Sequence, residues 1–283
     1  MLNLNLQDTG SLVQAGLIPG IPIEDYHKGP GTSKSQLDQV ARTVAHYLSS
    51  LTIPRKETDA MKIGSHFHTM VLEPEKQNFV VGPDVNKNTN IWKAFKADAE
   101  AAGQTIIDQA TLDMLNGMVA SVKAHPAASA LLFDGDGINE SSAYWYDKTS
   151  GLLCRCRPDR YRRDLNLIVD LKTTGDASPE AFAKSVADFR YHVQAPFYSD
   201  GVTTATGQEV RGFVFVVVEK TPPYAVAVYQ LDEQAMEEGH ILYHRDLMRL
   251  SEAKCSGIWT AYSDRIETIS LPRWAIKETR SYE

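Results

Sequence analysis

The stretch "LNLIVDLKTT", residues 165–174, constrains the fold of this chain more than any other. Leu167-Ile168-Val169 and Leu171 make an apolar run of strand length, the pattern of a strand buried on both faces under flanking helices. Asp170 and Lys172 interrupt that run. Being two residues apart, they project from one face of the strand, while Leu171 projects from the other. A carboxylate and an ammonium placed there form either a strand-end ion pair or part of a site, and spacing alone leaves both open.

Around this strand the chain alternates between helical and strand patterns. Ser33 reads as an N-cap, with Gln36 completing a capping box for a helix to about Leu51. A second helix covers Asp59 to Glu73 and stops at Pro74. "FVVGPD" suggests a short strand, and helices follow around Ile91–Ala102 and Gln109–Ala124. "ESSAYWYD" and "LLCRCRPDRY" alternate on either side of the turn "KTSG", which predicts a hairpin. A helix starts at "SPEAF", and another runs from Tyr191 to Gly201. "GFVFVVVEK" and "AVAVYQL" form a strand pair around a Pro-Pro turn, and a long helix spans about Asp232 to Lys254. The order predicts an α/β fold, with a mixed sheet of about five strands flanked by helices. No linker or repeat divides the chain, so residues 1–283 read as one domain. Residues 1–30 form an irregular arm, and about 139–231 form the central sheet region.

Composition excludes several classes. The chain is 43% hydrophobic and 23% charged, ordinary values for a globular protein. It has no apolar run of membrane-spanning length and no signal-peptide pattern, which points to a cytoplasmic protein without a membrane partner. Three cysteines cannot supply a four-thiolate iron–sulfur cluster. The net charge of −7 argues against a protein that coats nucleic acid, although Arg155, Arg157, Arg160, Arg162 and Arg163 cluster around a single Asp159.

The candidate chemistry lies in three acids and a lysine. Glu140 opens the first hairpin strand, Asp159 lies late in the second, and Asp170 and Lys172 lie late in the third. Carboxylates on neighbouring strands suit Mg²⁺ or Mn²⁺, which take oxygen ligands and keep several waters. An ammonium beside them can orient or deprotonate a water, or steady a phosphate's developing charge. Those parts suit phosphodiester hydrolysis.

Pro158-Asp159, ten residues, then Asp170-Leu171-Lys172 resembles the PD-(D/E)xK nuclease signature. Gly64 and His68 in "GSHFH" resemble the Gly-x-x-x-His element of RecB-like and phage exonucleases. Glu140 resembles their upstream acid, and Gln194 and Tyr198 in "QAPFY" resemble their Gln-x-x-x-Tyr element. "EDYHKGPGTSKSQLD", "FHTMVLEPE", "CRCRPD", "YHVQAPFYSDG" and "SLPRWA" are similar to segments of the RecE-type exonucleases (the exonuclease VIII nuclease domain), relatives of lambda exonuclease. The likeness runs from about residue 20 to about 275 and implies a PD-(D/E)xK, restriction-endonuclease-like core.

The resemblance also implies an activity and its parts. The activity is a Mg²⁺-dependent 5′-to-3′ exodeoxyribonuclease on linear double-stranded DNA that yields 5′-phosphomononucleotides. Its products are 3′ tails for annealing-type homologous recombination. Two Mg²⁺ ions would be held by His68, Glu140, Asp159 and Asp170 with the Leu171 carbonyl, and Mn²⁺ could substitute. Lys172 would be the catalytic lysine, and Gln194 and Tyr198 would support the site. Ser33, Lys34, Ser35 and Lys28 would receive a 5′-phosphate, with Arg157 or Arg160 near the site. Tyr26 and Trp92 are candidates to wedge the duplex end, and Trp145 is assigned to the core. His66 and His192 read as structural. The implied partners are a RecT-type single-strand annealing protein and further copies in a ring, a tetramer rather than a trimer. Two rivals stand beside this reading. One is a RecB-like or Cas4-like nuclease of different polarity, and the other is a non-catalytic DNA-end-binding protein.

Overall fold

The apolar run becomes the middle strand of a five-stranded sheet, and each face of that strand feeds a different hydrophobic core. The structure is a computed structural model that describes residues 15–53, 58–272 and 275. In chain order its first half forms β1 (Gly16–Ile18), α1 (Ile23–Lys28), α2 (Lys34–Arg42), α3 (Val44–Ser50) and α4 (Asp59–Leu72). Then come β2 (Phe79–Val81), α5 (Asn90–Ala101), β3 (Thr105–Ile107), α6 (Gln109–Ala124) and α7 (Pro126–Phe133). The second half forms β4 (Gly137–Asn139), β5 (Ser142–Tyr146), β6 (Leu153–Cys156), β7 (Arg160–Arg162) and β8 (Leu167–Thr174). It continues with α8 (Pro179–Asp188), α9 (Tyr191–Thr206), β9 (Gly212–Glu219), β10 (Val226–Gln230) and α10 (Glu233–Ser256).

The main sheet has the order β10-β9-β8-β7-β4. β8 runs parallel to β9 and antiparallel to β7, so the sheet is mixed, as the sequence pattern predicts. Val169 and Leu171 join Val216 and Val218 in packing on Phe67 of α4 and Leu115 and Met118 of α6. Ile168 on the opposite face joins Phe213, Phe215 and Val217 against Phe182 of α8 and Val193 and Phe197 of α9. That second face is the one that carries Asp170 and Lys172. A separate sheet, β1-β5-β6, covers α9, with Trp145 packed on Phe197 at 4.9 Å between ring centroids. Trp145 is therefore a core residue, as expected.

Several expected elements divide or move. The helix expected from Ser33 to Leu51 is two helices. Ser33 N–H donates to Gln36 Oε1 at 2.9 Å in the capping box, but Thr43 turns extended. The Thr43 hydroxyl then accepts from His46 N–H at 3.2 Å and starts α3. "LLCRCRPDRY" is likewise two strands, because Pro158 ends the pairing to β5, and β7 enters the main sheet instead. Residues 16–28 of the supposed irregular arm contain β1, paired with β5, and α1. Residues 1–14 of that arm, with Arg273 and Trp274 of "SLPRWA", lie outside the described residues.

The arginine cluster has a structural explanation. Arg162 donates to the carbonyls of Ala130 at 2.6 Å and Leu131 at 3.4 Å, and Arg160 donates to that of Asp134 at 3.0 Å. These carbonyls end α7, where a helix leaves its acceptors without intrahelical donors and a cation opposes its dipole. Arg155 does the same for the turn after α1, donating to the carbonyls of Gly29, Pro30 and His27. Arg163 is exposed and pairs with Asp136 at 2.5 Å. Four of these five side chains are buried, so the run is mainly an internal scaffold.

Candidate active site

β8 extends past the end of β7, and the candidate site forms at that step. The β7–β8 ladder closes on Arg160 opposite Val169, which leaves the Leu171 amide beyond it. Asp159, the residue just before β7, supplies the missing acceptor: its Oδ2 takes the Leu171 N–H at 2.7 Å. This contact involves the Leu171 amide rather than its carbonyl. His68 reaches the same Asp159 oxygen from α4, with Nδ1 at 3.5 Å. Gly64 lies one turn earlier on α4, on the side facing Thr173.

Asp170 is 1% exposed, and its Oδ1 accepts from Gln194 Nε2 at 2.6 Å. Lys172 forms an ion pair with Asp170 Oδ2, the oxygen that Gln194 does not hold. Burial pushes the Asp170 carboxyl up to about 6, with Lys172 pulling the other way. Burial alone would lower Lys172, but Asp170, Asp159 and Tyr191 outweigh it and push the ammonium up to about 12. Both groups therefore carry charge at neutral pH.

Glu140 occupies a bend between β4 and β5 instead of opening the hairpin strand, and it adopts φ +48°, the left-handed region. A side chain is uncommon there, and such backbone persists only where its surroundings hold it. Glu140 N–H donates to the Asp159 carbonyl at 3.0 Å, and its Oε2 accepts from Arg157 Nε at 2.9 Å. Burial first, then the charge of Asp159, pushes the Glu140 carboxyl up to about 8 against the pull of Arg157. One ligand-type atom from each of His68, Glu140 and Asp159 lies within 4.8 Å of the others.

Asp159 and Asp170 open into a cleft of about 400 Å³, which Glu140 and His68 do not line. Its walls include Asp159, Asp170, Lys172, Gln194 and Tyr198, together with Ser33, Lys34 and Ser35 at the start of α2. Gln194 and Tyr198 lie one turn apart on α9 and share the cleft face. Lys34 Nζ pairs with Asp38 at 2.9 Å and donates to the Phe189 carbonyl at 2.5 Å, and burial lowers its pKa. The Ser33 and Ser35 hydroxyls are 3.1 Å apart.

Other expected residues lie elsewhere. Lys28 is exposed at the end of α1 and does not line the cleft, whereas the neighbouring His27 does. Arg160 faces the α7–β4 turn, with Nη1 donating to Asn139 Oδ1 at 2.8 Å, and takes no part in the cleft. Arg157 is near the site but buried, donating to Glu140 and to the Ile21 carbonyl. Its role here is to hold Glu140, which leaves it unplaced for a phosphate. Tyr26 lines the cleft from below rather than protruding as a wedge: it is 6% exposed, under Arg155 and Arg157 at 5.0 and 5.6 Å. Trp92 and His66 line a separate cleft of about 1060 Å³ beside β2 and β3. His192 is structural, with Nδ1 3.1 Å from the Val186 carbonyl.

The sequence reading passed over four residues that line the cleft, His27, Asp38, Phe189 and Tyr191, and Tyr191 is the one that touches the lysines through its ring. Its ring lies 4.8 Å from Lys172 Nζ and 6.0 Å from Lys34 Nζ, a cation–π platform shared by both ammoniums. The available signal was its position three residues before Gln194, on the same helix face.

The sequence matches, over residues 33–272, the family described as a PDDEXK-like domain of unknown function (DUF3799). No curated protein matches it in sequence. The chain is similar in structure to a "Putative exonuclease" from Eubacterium rectale, with a TM-score of 0.58 and 13% identity, over 89% of this chain and 96% of that one. At that identity the likeness establishes the fold. An alkaline exonuclease (LHK-Exo) from Laribacter hongkongensis is similar over 68% of this chain and 95% of its own, with 13% identity and a TM-score of 0.29, too low to carry an argument. With a matched region that includes β7, β8 and α9, this chain belongs to the PDDEXK-like DUF3799 family.

Proposed function

We propose that the chain is a Mg²⁺-dependent exonuclease that shortens the 5′ strand of linear duplex DNA. The observation that carries this reading is the single cleft that joins Asp159, Asp170, Lys172 and Gln194 to the serines and lysine that open α2. One wall is suited to cutting a phosphodiester, and the other is suited to holding a terminal phosphate.

The donor set fits a hard divalent cation: one imidazole, two clustered carboxylates, and beside them the buried Asp170 carboxylate, whose Oδ2 faces only the Lys172 ammonium. His68, Glu140, Asp159 and Asp170 would hold the metal, with the Leu171 carbonyl as a further ligand. Bound Mg²⁺ supplies Lewis-acid stabilisation of the developing charge and lowers the pKa of water. The chain's own groups do the rest. Gln194 fixes the orientation of Asp170, and Arg157 fixes that of Glu140. Lys172, pushed up to about 12, stays protonated at neutral pH, so it orients the attacking water and steadies the phosphate's charge rather than acting as a base. Tyr191 holds that ammonium over its ring. At the opposite wall, the Lys34 and Ser35 amides of α2 precede that of Gln36, the first one satisfied by the capping box, and with the Ser33 and Ser35 hydroxyls they suit a 5′-phosphate. Lys34 adds charge there when it exchanges Asp38 for the phosphate.

The RecE-type resemblance extends this reading. The chain acts as a single domain within a ring-shaped homo-oligomer, a tetramer, in the bacterial cytoplasm. It leaves 3′ tails for a RecT-type annealing partner. Digestion of a linear duplex labelled separately at the 5′ and 3′ ends tests the polarity, with 5′-phosphate and 5′-hydroxyl substrates compared. The reading expects early release of 5′ label as mononucleotides in Mg²⁺, faster from the phosphorylated end, with the difference lost in Ser35→Ala. Release from the 3′ end, or internal cuts, would overturn the polarity.

A further inference from the structure

A second group of ligand-type side chains lies outside the cleft, between α9 and α10. His240 and His244 are four residues apart on α10 and therefore share a face, with ring centroids 4.4 Å apart. Asp200 of α9 faces them, its Oδ2 3.2 Å from His240 Nε2. One ligand atom from each of the three lies within 4.8 Å of the others. Further polar groups orient the set. Tyr243 O–H donates to Asp200 Oδ2. Asp147 presents Oδ1 to His244 Nδ1 at 3.8 Å, while its Oδ2 accepts from the Ser150 N–H and hydroxyl, each at 2.7 Å.

From this constellation we infer a second metal site, Asp200–His240–His244, which takes a borderline transition-metal ion of the Zn²⁺ type and clamps α10 to α9. Two imidazoles and one carboxylate on a helix pair are the donors such an ion takes, and waters complete the shell on the open side. Mg²⁺ would not choose this set, because it prefers oxygen ligands. The hydroxyl of Tyr243 and the carboxylate of Asp147 act as outer partners that fix Asp200 and His244. The Asp200 and His240 side chains are about half exposed, so an ion has a path in. The site is distinct from the cleft. Asp200 comes two residues after Tyr198, which places it well around α9 from the face that carries Gln194 and Tyr198. Its role is structural: the clamp sets how α10 supports the helix that positions Gln194.

Equilibrium dialysis of chelator-stripped protein against Zn²⁺ tests this, with Co²⁺ absorption as a report on the ligand geometry. Every protein carries Cys255→Ser, which removes the exposed thiol as a competing ligand. His68→Ala disables the cleft cluster and should keep one Zn²⁺ equivalent, with a melting temperature that rises on Zn²⁺ addition. Adding His240→Ala should remove that equivalent, the Co²⁺ bands and the thermal shift together. Asp200→Asn, which keeps an oxygen for Tyr243, should lose the equivalent as well and guards against misfolding of the histidine variant. Full Zn²⁺ binding by both variants, or no Zn²⁺ bound by His68→Ala, would overturn the proposal.

Discussion

Asp170 and Glu140 show how single residues carry the site's electrostatics. Asp170 is buried with one oxygen on Gln194, so Gln194→Leu removes a donor from an ionised group. The expected cost is about 1–3 kcal/mol of stability, measurable by urea titration, with cleavage falling as well. Glu140 gives a pH signature in metal-free protein. Its folded-state value of about 8 lies above the ordinary 4.5, so the folded chain keeps a proton that the unfolded chain has lost. Stability therefore falls as pH rises from 4.5 to 8 and levels off above that. Relative to Glu140→Gln, wild type should lose at most ~1.4 kcal/mol per pH unit across that window. A flat difference would contradict the account. At this scale the sequence exposed Asp170 and Lys172, because a charge inside an apolar strand pattern stands out, and Asp159, because it follows a proline as the single acid in a run of arginines. It did not expose Tyr191, whose role rests on two lysines meeting across the fold, or the arginines, which bind backbone carbonyls that no spacing rule locates.

Elements decide whether those residues meet. α9 and α10 come close together at Gly239, where a Cβ would lie 1.6 Å from the His192 carbonyl oxygen. Gly239→Ala must push the helices apart, and thermal unfolding should show a loss of about 1–3 kcal/mol or more. Wild-type stability in that variant would sink the assigned packing. Asp246, fully buried on α10, is neutralised by Arg190 at 2.5 Å, with Arg245 at 2.9 Å. Arg190→Ala should cost about 3–5 kcal/mol by weakening the compensation of a buried charge. β8 was legible because a continuous apolar run has few alternatives. The capping box of α2 was legible because its chemistry is local. The break at Thr43 was not, since it involves no glycine or proline, only a hydroxyl that caps the next helix. The division of "LCRCRPDRY" between two sheets was only half visible: Pro158 marks the break, but which sheet each half joins is set by tertiary pairing.

For the whole molecule, the two faces of β8 organise the core and the candidate site. One face is sealed against α4 and α6, and the other carries charge beneath α9, where residues of α1 and α2 complete the walls of the cleft. The class of fold followed from the order of elements. The meeting of α2 with the end of β8 across more than a hundred residues did not, and only the family resemblance pointed to it. If the cleft acids hold metal, then adding Mg²⁺ to chelator-treated protein should raise its melting temperature, and Asp159→Asn should abolish that rise, as read by differential scanning fluorimetry. The most direct test of the central claim is release of acid-soluble nucleotides from linear duplex DNA by wild type and by Lys172→Ala, each in Mg²⁺ and each checked for folding by circular dichroism. The account predicts Mg²⁺-dependent release by wild type and a loss of at least about 100-fold in the folded variant, as expected when a preorganised charge is removed from a reaction centre. Undiminished release by Lys172→Ala, or none by folded wild type, would contradict it.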